Sequence, residues 1–97
     1  MSLTDIEWPD TLKRISDFAF SNCSKLNRVT LPSSTKNIGD YAFIRCDRLT
    51  SVFVPESVVS VGIDAFDKDN KNLCIYGISG SYIQAYAKEN KLRFKVK

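Results

Sequence analysis

The sequence predicts an α/β repeat solenoid, a stack of similar coils that each contribute a short strand and a single helical turn. Three observations carry this prediction. An Ala-Phe box recurs as Ser16-Asp17-Phe18-Ala19-Phe20-Ser21-Asn22-Cys23, Gly39-Asp40-Tyr41-Ala42-Phe43-Ile44-Arg45-Cys46 and Gly62-Ile63-Asp64-Ala65-Phe66-Asp67-Lys68-Asp69, at a constant period of 23. Pro9, Pro32 and Pro55 share that period. Each proline closes the same pattern, apolar-x-x-apolar-x-apolar-Pro. A fixed period of this length marks units that bury their apolar side only against their neighbours.

The proline-terminated stretches, Leu3 to Pro9, Leu26 to Pro32 and Leu49 to Pro55, alternate as half-buried strands do. Their inward residues are Ile6 and Trp8, Val29 and Leu31, and Val52 and Val54. Proline has no N–H, so it ends the pairing. Further apolar residues follow each proline: Leu12 and Ile15, Ile38, then Val58 and Val61. In the box, Gly39 and Gly62 stand where a turn needs a permissive backbone. Ala42 is small enough for close stacking, and Phe43 and Cys46 point inward. The box is too short for a free-standing helix, so a single helical turn is expected.

The third repeat departs from the pattern. Asp69 takes the place of the box cysteine, and the next strand, Leu73-Cys74-Ile75-Tyr76, reads as arriving about two residues early. That strand ends in Gly77 where proline stood before. Terminal repeats are atypical because they cap the core. A cap comes next: a turn at Gly77 to Gly80, then a capping box with Ser81 at the N-cap and Gln84 three residues on. Tyr82, Ile83, Tyr86 and Ala87 share one helical face, and Asn90 marks the helix end. Leu92 to Val96 alternates as a final strand. The predicted organisation is therefore residues 1–76 as three to four repeats of that period, and 77–97 as a capping helix and strand. The first strand, carrying Leu3, Ile6 and Trp8, has no partner on its outer edge. The chain is thus expected to hold the last repeats of a longer array, and the edge to pair with a second copy.

Composition and motifs exclude several classes of function. The net charge of +3 is small and dispersed, without the basic stripe of a nucleic-acid binder. Lys88, Lys91, Arg93, Lys95 and Lys97 cluster against Glu89 and read as a solvated end. No apolar run approaches the ~20 residues of a membrane span, and no basic-then-apolar leader opens the chain. Histidine is absent, which removes Ser-His and Cys-His nucleophile pairs and the commonest zinc ligand. Cys23, Cys46 and Cys74 form no Cys-x-x-Cys pair, and no glycine-rich phosphate loop occurs. No cofactor, metal or catalytic set is predicted. Asp67, Asp69 and Asn70 suggest calcium faintly, but Lys68 and Lys71 interrupt them and the glycine and distal glutamate of a calcium loop are missing. A solvated loop is the expectation there.

Cys23 and Cys46 occupy equivalent positions in adjacent repeats, roughly one strand spacing (~5 Å) apart. That is within disulfide range, and the alternative is a ladder of small buried thiols. Cys74 is expected to face outward on the sheet or to lie under the cap, with no activating neighbour. Asn22-Cys23-Ser24 fits the glycan acceptor pattern but reads as incidental, because Cys23 should be buried.

Binding, if it occurs, belongs on the outward strand positions. One row is read as Glu7, Thr30, Phe53 and Cys74, and the next as Asp5, Arg28 and Ser51. Phe53 departs from its polar row mates. It is either an aromatic anchor for a partner or a tolerated exposed apolar residue. The candidate partner-binding residues are Glu7, Arg28, Thr30, Ser51 and Phe53. Two readings result: a binding module, or a structural spacer and cap that presents other domains. An enzyme is the weakest reading.

The pattern Leu-x-x-Val-x-Leu-Pro followed by Ile-Gly-Asp-Tyr-Ala-Phe-x-x-Cys resembles the BspA-like (Treponema pallidum type) leucine-rich repeat, from Leu3 to about Phe66. The stretch from Ile75-Tyr76-Gly77 through Tyr86-Ala87-Lys88-Glu89-Asn90 resembles the ending common after such repeats in surface proteins of gut and oral anaerobes. The resemblance implies a curved right-handed leucine-rich repeat solenoid with a parallel β-sheet on its concave face and short helical turns on the convex side. It also implies an extracellular or cell-surface bacterial parent, linked with adhesion to a protein or glycan on host or neighbouring cells. The family has no fixed ligand and no catalytic set, so no site residue carries over from it.

Overall fold

The computed structural model describes residues 11–23, 26–67 and 69–97. In chain order the elements are β1 (Arg14–Ile15), β2 (Arg28–Thr30), β3 (Asn37–Ile38), β4 (Ser51–Phe53), β5 (Ser60–Val61), β6 (Cys74–Gly77), α1 (Tyr82–Glu89) and β7 (Arg93–Val96). They build two parallel sheets, ordered β1-β3-β5 and β2-β4-β6-β7. Arg14 pairs with Asn37 and Asn37 with Ser60. Arg28 pairs with Ser51 and Ser51 with Cys74. The repeat period is therefore also the strand register, and the chain winds as a solenoid. The N-terminal strand and its unpaired edge, expected over Leu3 to Trp8, lie outside the described residues.

The second sheet was not evident in the sequence. β1, β3 and β5 are two residues long, and each carries one inward side chain: Ile15, Ile38 or Val61. Two residues cannot display an alternation, so these strands are set by stacking of neighbouring coils. Serines after the prolines help to hold that stack. Ser34 Oγ donates to the Leu12 carbonyl at 2.6 Å, and Ser57 Oγ to the Thr35 carbonyl at 2.7 Å.

The box does not form the expected helical turn. Alternate N–H groups leave the coil and donate to the next one: Phe18 to Asp40 at 3.0 Å, Phe20 to Ala42 at 2.8 Å and Asn22 to Ile44 at 2.9 Å. Tyr41 and Phe43 repeat this toward Ile63 and Ala65, at 2.9 and 2.7 Å. The N–H groups between them close tight turns, such as Ala19 to Ser16 at 3.1 Å. Such a path needs left-handed residues, and Phe18, Asn22, Tyr41, Arg45 and Asp64 have φ between 47 and 60°. Helical geometry would aim every N–H along the coil and leave the neighbour's carbonyls unpaired.

Gly39 and Gly62 serve a different purpose from the one their turn position suggests. Neither has a positive φ; among the described glycines only Gly80 does, at 83°. Both sit where two coils touch. A Cβ on Gly39 would lie 2.5 Å from the Asp17 nitrogen, and one on Gly62 would lie 2.5 Å from the Asp40 nitrogen.

The interior is a set of stacked equivalent positions. Val29, Val52 and Ile75 line one wall, and Ile15 and Ile38 the other. Phe20, Phe43 and Phe66 stack at the third corner, with successive ring centroids 5.4 Å apart. Ala42, Ala65 and Cys46 are buried beside them, as small box residues should be. Each fully buried aliphatic or aromatic side chain contributes about 1.5–3 kcal/mol, so repetition makes the core strong although each strand is short.

α1 packs Ile83 and Ala87 into this core, with Tyr86 half-buried and Tyr82 largely exposed. Its ends follow the sequence only in part. Ser81 is the N-cap residue, but its hydroxyl is buried without a hydrogen-bond partner. Gln84 reaches one residue further back and accepts from the Gly80 N–H at 2.7 Å. At the other end Asn90 is the C-cap, and Lys91 follows in the left-handed conformation at φ 58°. Lys91 donates to Lys88 and Leu92 to Ala87, which together make a Schellman closure. β7 then pairs parallel with β6, Cys74 against Arg93, so the last register step is shorter than the repeat period.

Candidate functional site

The outer face of the β2-β4-β6-β7 sheet carries the residues singled out from sequence. Their order needs one correction. β4 and β6 pair Ser51 with Cys74 and Phe53 with Tyr76, so the strand after the third box keeps the full repeat register and does not arrive early. The outward rows are Thr30, Phe53, Tyr76 and Lys95, and Arg28, Ser51, Cys74 and Arg93. Cys74 moves out of the Phe53 row, and Tyr76 takes its place there. Phe43 to Ser51 and Phe66 to Cys74 span the same number of residues, so the third box departs from the pattern in composition and not in length.

Arg28, Thr30, Ser51 and Phe53 line one open groove of about 680 Å³, together with Thr50, Tyr76 and Lys97. Glu7, the fifth candidate, lies outside the described residues, as does Asp5. Arg28 and Thr30 are exposed, whereas Ser51, Phe53 and Tyr76 are half-buried. Phe53 is not a bare apolar residue. The Lys97 ammonium sits 4.8 Å from its ring centroid, within range of a cation–π interaction. Sequence reading missed Tyr76 and Lys97. Tyr76 was available from the period, since it stands one full repeat after Phe53, but Lys97 had no repeat to place it.

Among the described residues, charge on this face is one-sided. Arg28, Arg93 and Lys95 occupy outward strand positions and Lys97 overhangs them, and no described outward residue of the four strands is acidic. Arg93 is partly committed: its Nη1 donates to the Lys71 carbonyl at 2.8 Å, which holds the guanidinium at the rim.

Other candidate chemistry resolves into structure. All three cysteines are free thiols. The Cys46 thiol lies 3.0 Å from the Phe20 carbonyl, and burial pushes its pKa up to about 11. A thiol held protonated in this way is a packing group at neutral pH and not a nucleophile. The acidic loop is less solvated than expected. Asn70 Nδ2 donates to the Cys46 carbonyl at 3.1 Å and the Leu49 carbonyl at 2.8 Å, which ties the loop to the preceding coil. Among the described residues, no group of three or more His, Cys, Asp or Glu side chains is placed to hold a metal ion. Ser24, the last residue of the glycan acceptor pattern, lies outside the described residues.

Among the described residues, no helix is long and apolar enough to cross a membrane. No curated protein and no solved structure matches the chain at a significant level. One family model does match: that of the BspA type leucine rich repeat region (6 copies), over residues 1–93. The match agrees with the parallel strands, their repeat register and the stacked box phenylalanines. With nearly its whole length covered, the chain belongs to the BspA-type leucine-rich repeat family.

Proposed function

We propose that this chain is a non-enzymatic protein-binding module of a bacterial cell-surface protein, acting in adhesion outside the cell. Its partner meets the outer face of the four-stranded sheet. The observation that carries this reading is the groove itself, which brings Arg28, Thr30, Ser51 and Phe53 together with Tyr76. Tyrosine, phenylalanine and arginine are residue types enriched where protein interfaces are anchored. Periodic positions such as Val29, Val52, Phe43 and Phe66 point inward and serve packing. The test is a solid-phase binding array of host extracellular and bacterial surface proteins and glycans. The reading requires at least one specific binder that is lost with Phe53→Asp and Arg28→Glu and kept with Phe18→Ser, a change on the box side. Binding that ignores both sheet-face changes would refute it.

A second reading, a spacer and cap, is favoured by the closure at α1. Tyr86 donates its hydroxyl to the Gly62 carbonyl at 2.9 Å, and the Tyr82 hydroxyl accepts from the Val61 N–H at 3.4 Å. Residues 77–97 thereby cover the edge of the last coil. This reading expects no specific binder on the array, and slow amide exchange in β5 that becomes fast in the Tyr82→Phe, Tyr86→Phe double variant.

A further inference from the structure

The charge on the sheet face narrows the class of partner. Across the whole chain lysine and arginine outnumber acids only 14 to 11. On the described outward positions of the four strands, by contrast, every charged residue is a cation: Arg28, Arg93 and Lys95. Lys97 adds a fourth cation above Phe53. The acids that the repeat spacing assigns to the same rows, Asp5 and Glu7, lie outside the described residues. A surface so biased selects partners of opposite charge.

From this we infer that the groove binds an acidic, extended peptide segment of a partner protein, laid across the strands with carboxylates four residues apart. This rests on the protein-binding reading above. The spacing follows from the geometry of the sheet. β2 and β7 are separated by three strand intervals, or about 14 Å at ~4.8 Å each. In an extended chain, residues i and i+4 point to the same side about 13 Å apart, at ~3.3 Å per residue. Lys95 stands two residues along from the Arg28 row, so the two cations are about 16 Å apart on the diagonal. Their long side chains take up the remaining ~3 Å, and a carboxylate at i reaches Arg28 on β2 while one at i+4 reaches Lys95 on β7. The side chain at i+2 comes down between them, over Phe53 and Tyr76 on the two central strands. An aromatic residue fits that place, since it stacks on the tyrosine and meets the Lys97 ammonium.

A peptide with a central aromatic side chain matches both the cations and the two aromatics; an anionic glycan is the alternative that the experiment separates.

The experiment is fluorescence anisotropy with a labelled peptide carrying Glu-Ser-Tyr-Ser-Glu, its amide counterpart Gln-Ser-Tyr-Ser-Gln, and its counterpart Glu-Ser-Ser-Ser-Glu. Saturable binding of the first is expected, weaker by about tenfold for the amide form and by about fivefold without the tyrosine. Raising the salt to about 0.5 M should weaken the first in the same direction. The double variant Arg28→Gln, Lys95→Gln should lose the preference for glutamate, and Lys88→Gln on α1 should leave it intact. All three positions are exposed, and circular dichroism verifies that the variants fold. Equal affinity for the acid and amide peptides overturns the inference. So does binding of a heparin fragment with no peptide binding, which would assign the face to a glycan. A sheet-face-dependent array partner whose binding ignores salt and the charge variants would overturn the acidic-peptide chemistry alone. Loss of any dependence on the sheet face would overturn the protein-binding reading with it.

Discussion

Substituting Gly62 tests how tightly the coils pack. A Cβ there would sit 2.5 Å from the Asp40 nitrogen, 2.7 Å from the Gly39 carbonyl carbon, and closer still to Asp40 Oδ1, where ordinary contact begins at 3.4 Å. The obstacle is mostly backbone, so no rotamer change relieves it. The coils that carry Gly39 and Gly62 would have to separate by roughly 0.5–1 Å, which carries two short hydrogen bonds beyond useful length. These are Gly62 N–H to the Ile38 carbonyl at 2.8 Å and Ile63 N–H to Asp40 Oδ1 at 2.9 Å. Overpacking costs about 1–3 kcal/mol, and the two bonds, one of them to a carboxylate, add about 2–3 kcal/mol. Gly62→Ala should thus lose about 3–6 kcal/mol, enough to lower Tm by at least about 12 °C in a domain of this size. Gly80→Ala is the contrast. Gly80 has φ 83° with no atom within 4 Å of its virtual Cβ, so only conformational strain applies, about 1–2 kcal/mol. Gly62→Asn is a further check, because it carries the same Cβ and Gly62 has no positive φ for asparagine to accommodate. Thermal and urea melts followed by circular dichroism give the comparison. If Gly62→Ala costs no more than Gly80→Ala, or Gly62→Asn is well tolerated, the close-approach argument is wrong.

Three further outcomes are expected. Arg45 is left-handed at φ 58° and is the register mate of Asn22, itself at 60°. Arg45→Asn should therefore raise stability by about 0.5–1 kcal/mol in a urea melt. Asn70→Ala leaves the Cys46 and Leu49 carbonyls without their amide donor and should cost about 1–3 kcal/mol, whereas Asn72→Ala, on an exposed side chain of the same loop, should cost far less. Burial raises the Cys46 pKa from 9.0 to about 11. The folded state therefore holds that proton more tightly than the unfolded one. Its contribution to stability is complete below about pH 9 and is lost as pH rises toward 11. Cys46→Ala should flatten the fall in Tm over that window, and a wild-type slope unchanged by the substitution would exclude the thiol as its source.

Much of the fold was legible because one number, 23, governs both the sequence period and the strand register. Phe43, Cys46, Val29, Val52 and Val54 were placed inward from that period, and all are buried. What escaped was whatever is not periodic within a single coil. The strands at Arg14–Ile15, Asn37–Ile38 and Ser60–Val61 exist only as pairs of neighbours, so no local pattern announces them. The left-handed path of the box was hidden for the same reason. Phe18, Tyr41 and Arg45 do not favour that conformation, and it is imposed by carbonyls of the following coil. On the sheet face, Arg28, Thr30, Ser51 and Phe53 were found from alternation. Tyr76 is hidden because the composition changes after Phe66 while the length does not. At Ser81 the local signal for a cap was strong, yet the hydroxyl bonds nothing and the glutamine bonds one residue earlier.

The first two box positions show how a repeat records which neighbours it has. Gly39 and Gly62 lack a Cβ because of the coil before them, since each would collide with the box that precedes it. Asp17 and Asp40 answer to the coil after them, since each carboxylate accepts the N–H of its register mate, at 2.8 Å from Asp40 and 2.9 Å from Ile63. The pair is then readable as Ser16-Asp17, Gly39-Asp40 and Gly62-Ile63. The middle coil has a neighbour on both sides and carries both the glycine and the acid. The last keeps the glycine and gives up the acid, because no further box follows to donate an N–H. In its place the Tyr86 hydroxyl takes the Gly62 carbonyl. The first keeps the acid and carries a Cβ at Ser16, and among the described residues no coil lies on that side. An aspartate in place of Ile63 would be a carboxylate with no N–H to accept, so isoleucine there follows from the same hydrogen bond that retains Asp17 and Asp40. At these two positions the variation of the box is explained by stacking with its neighbours.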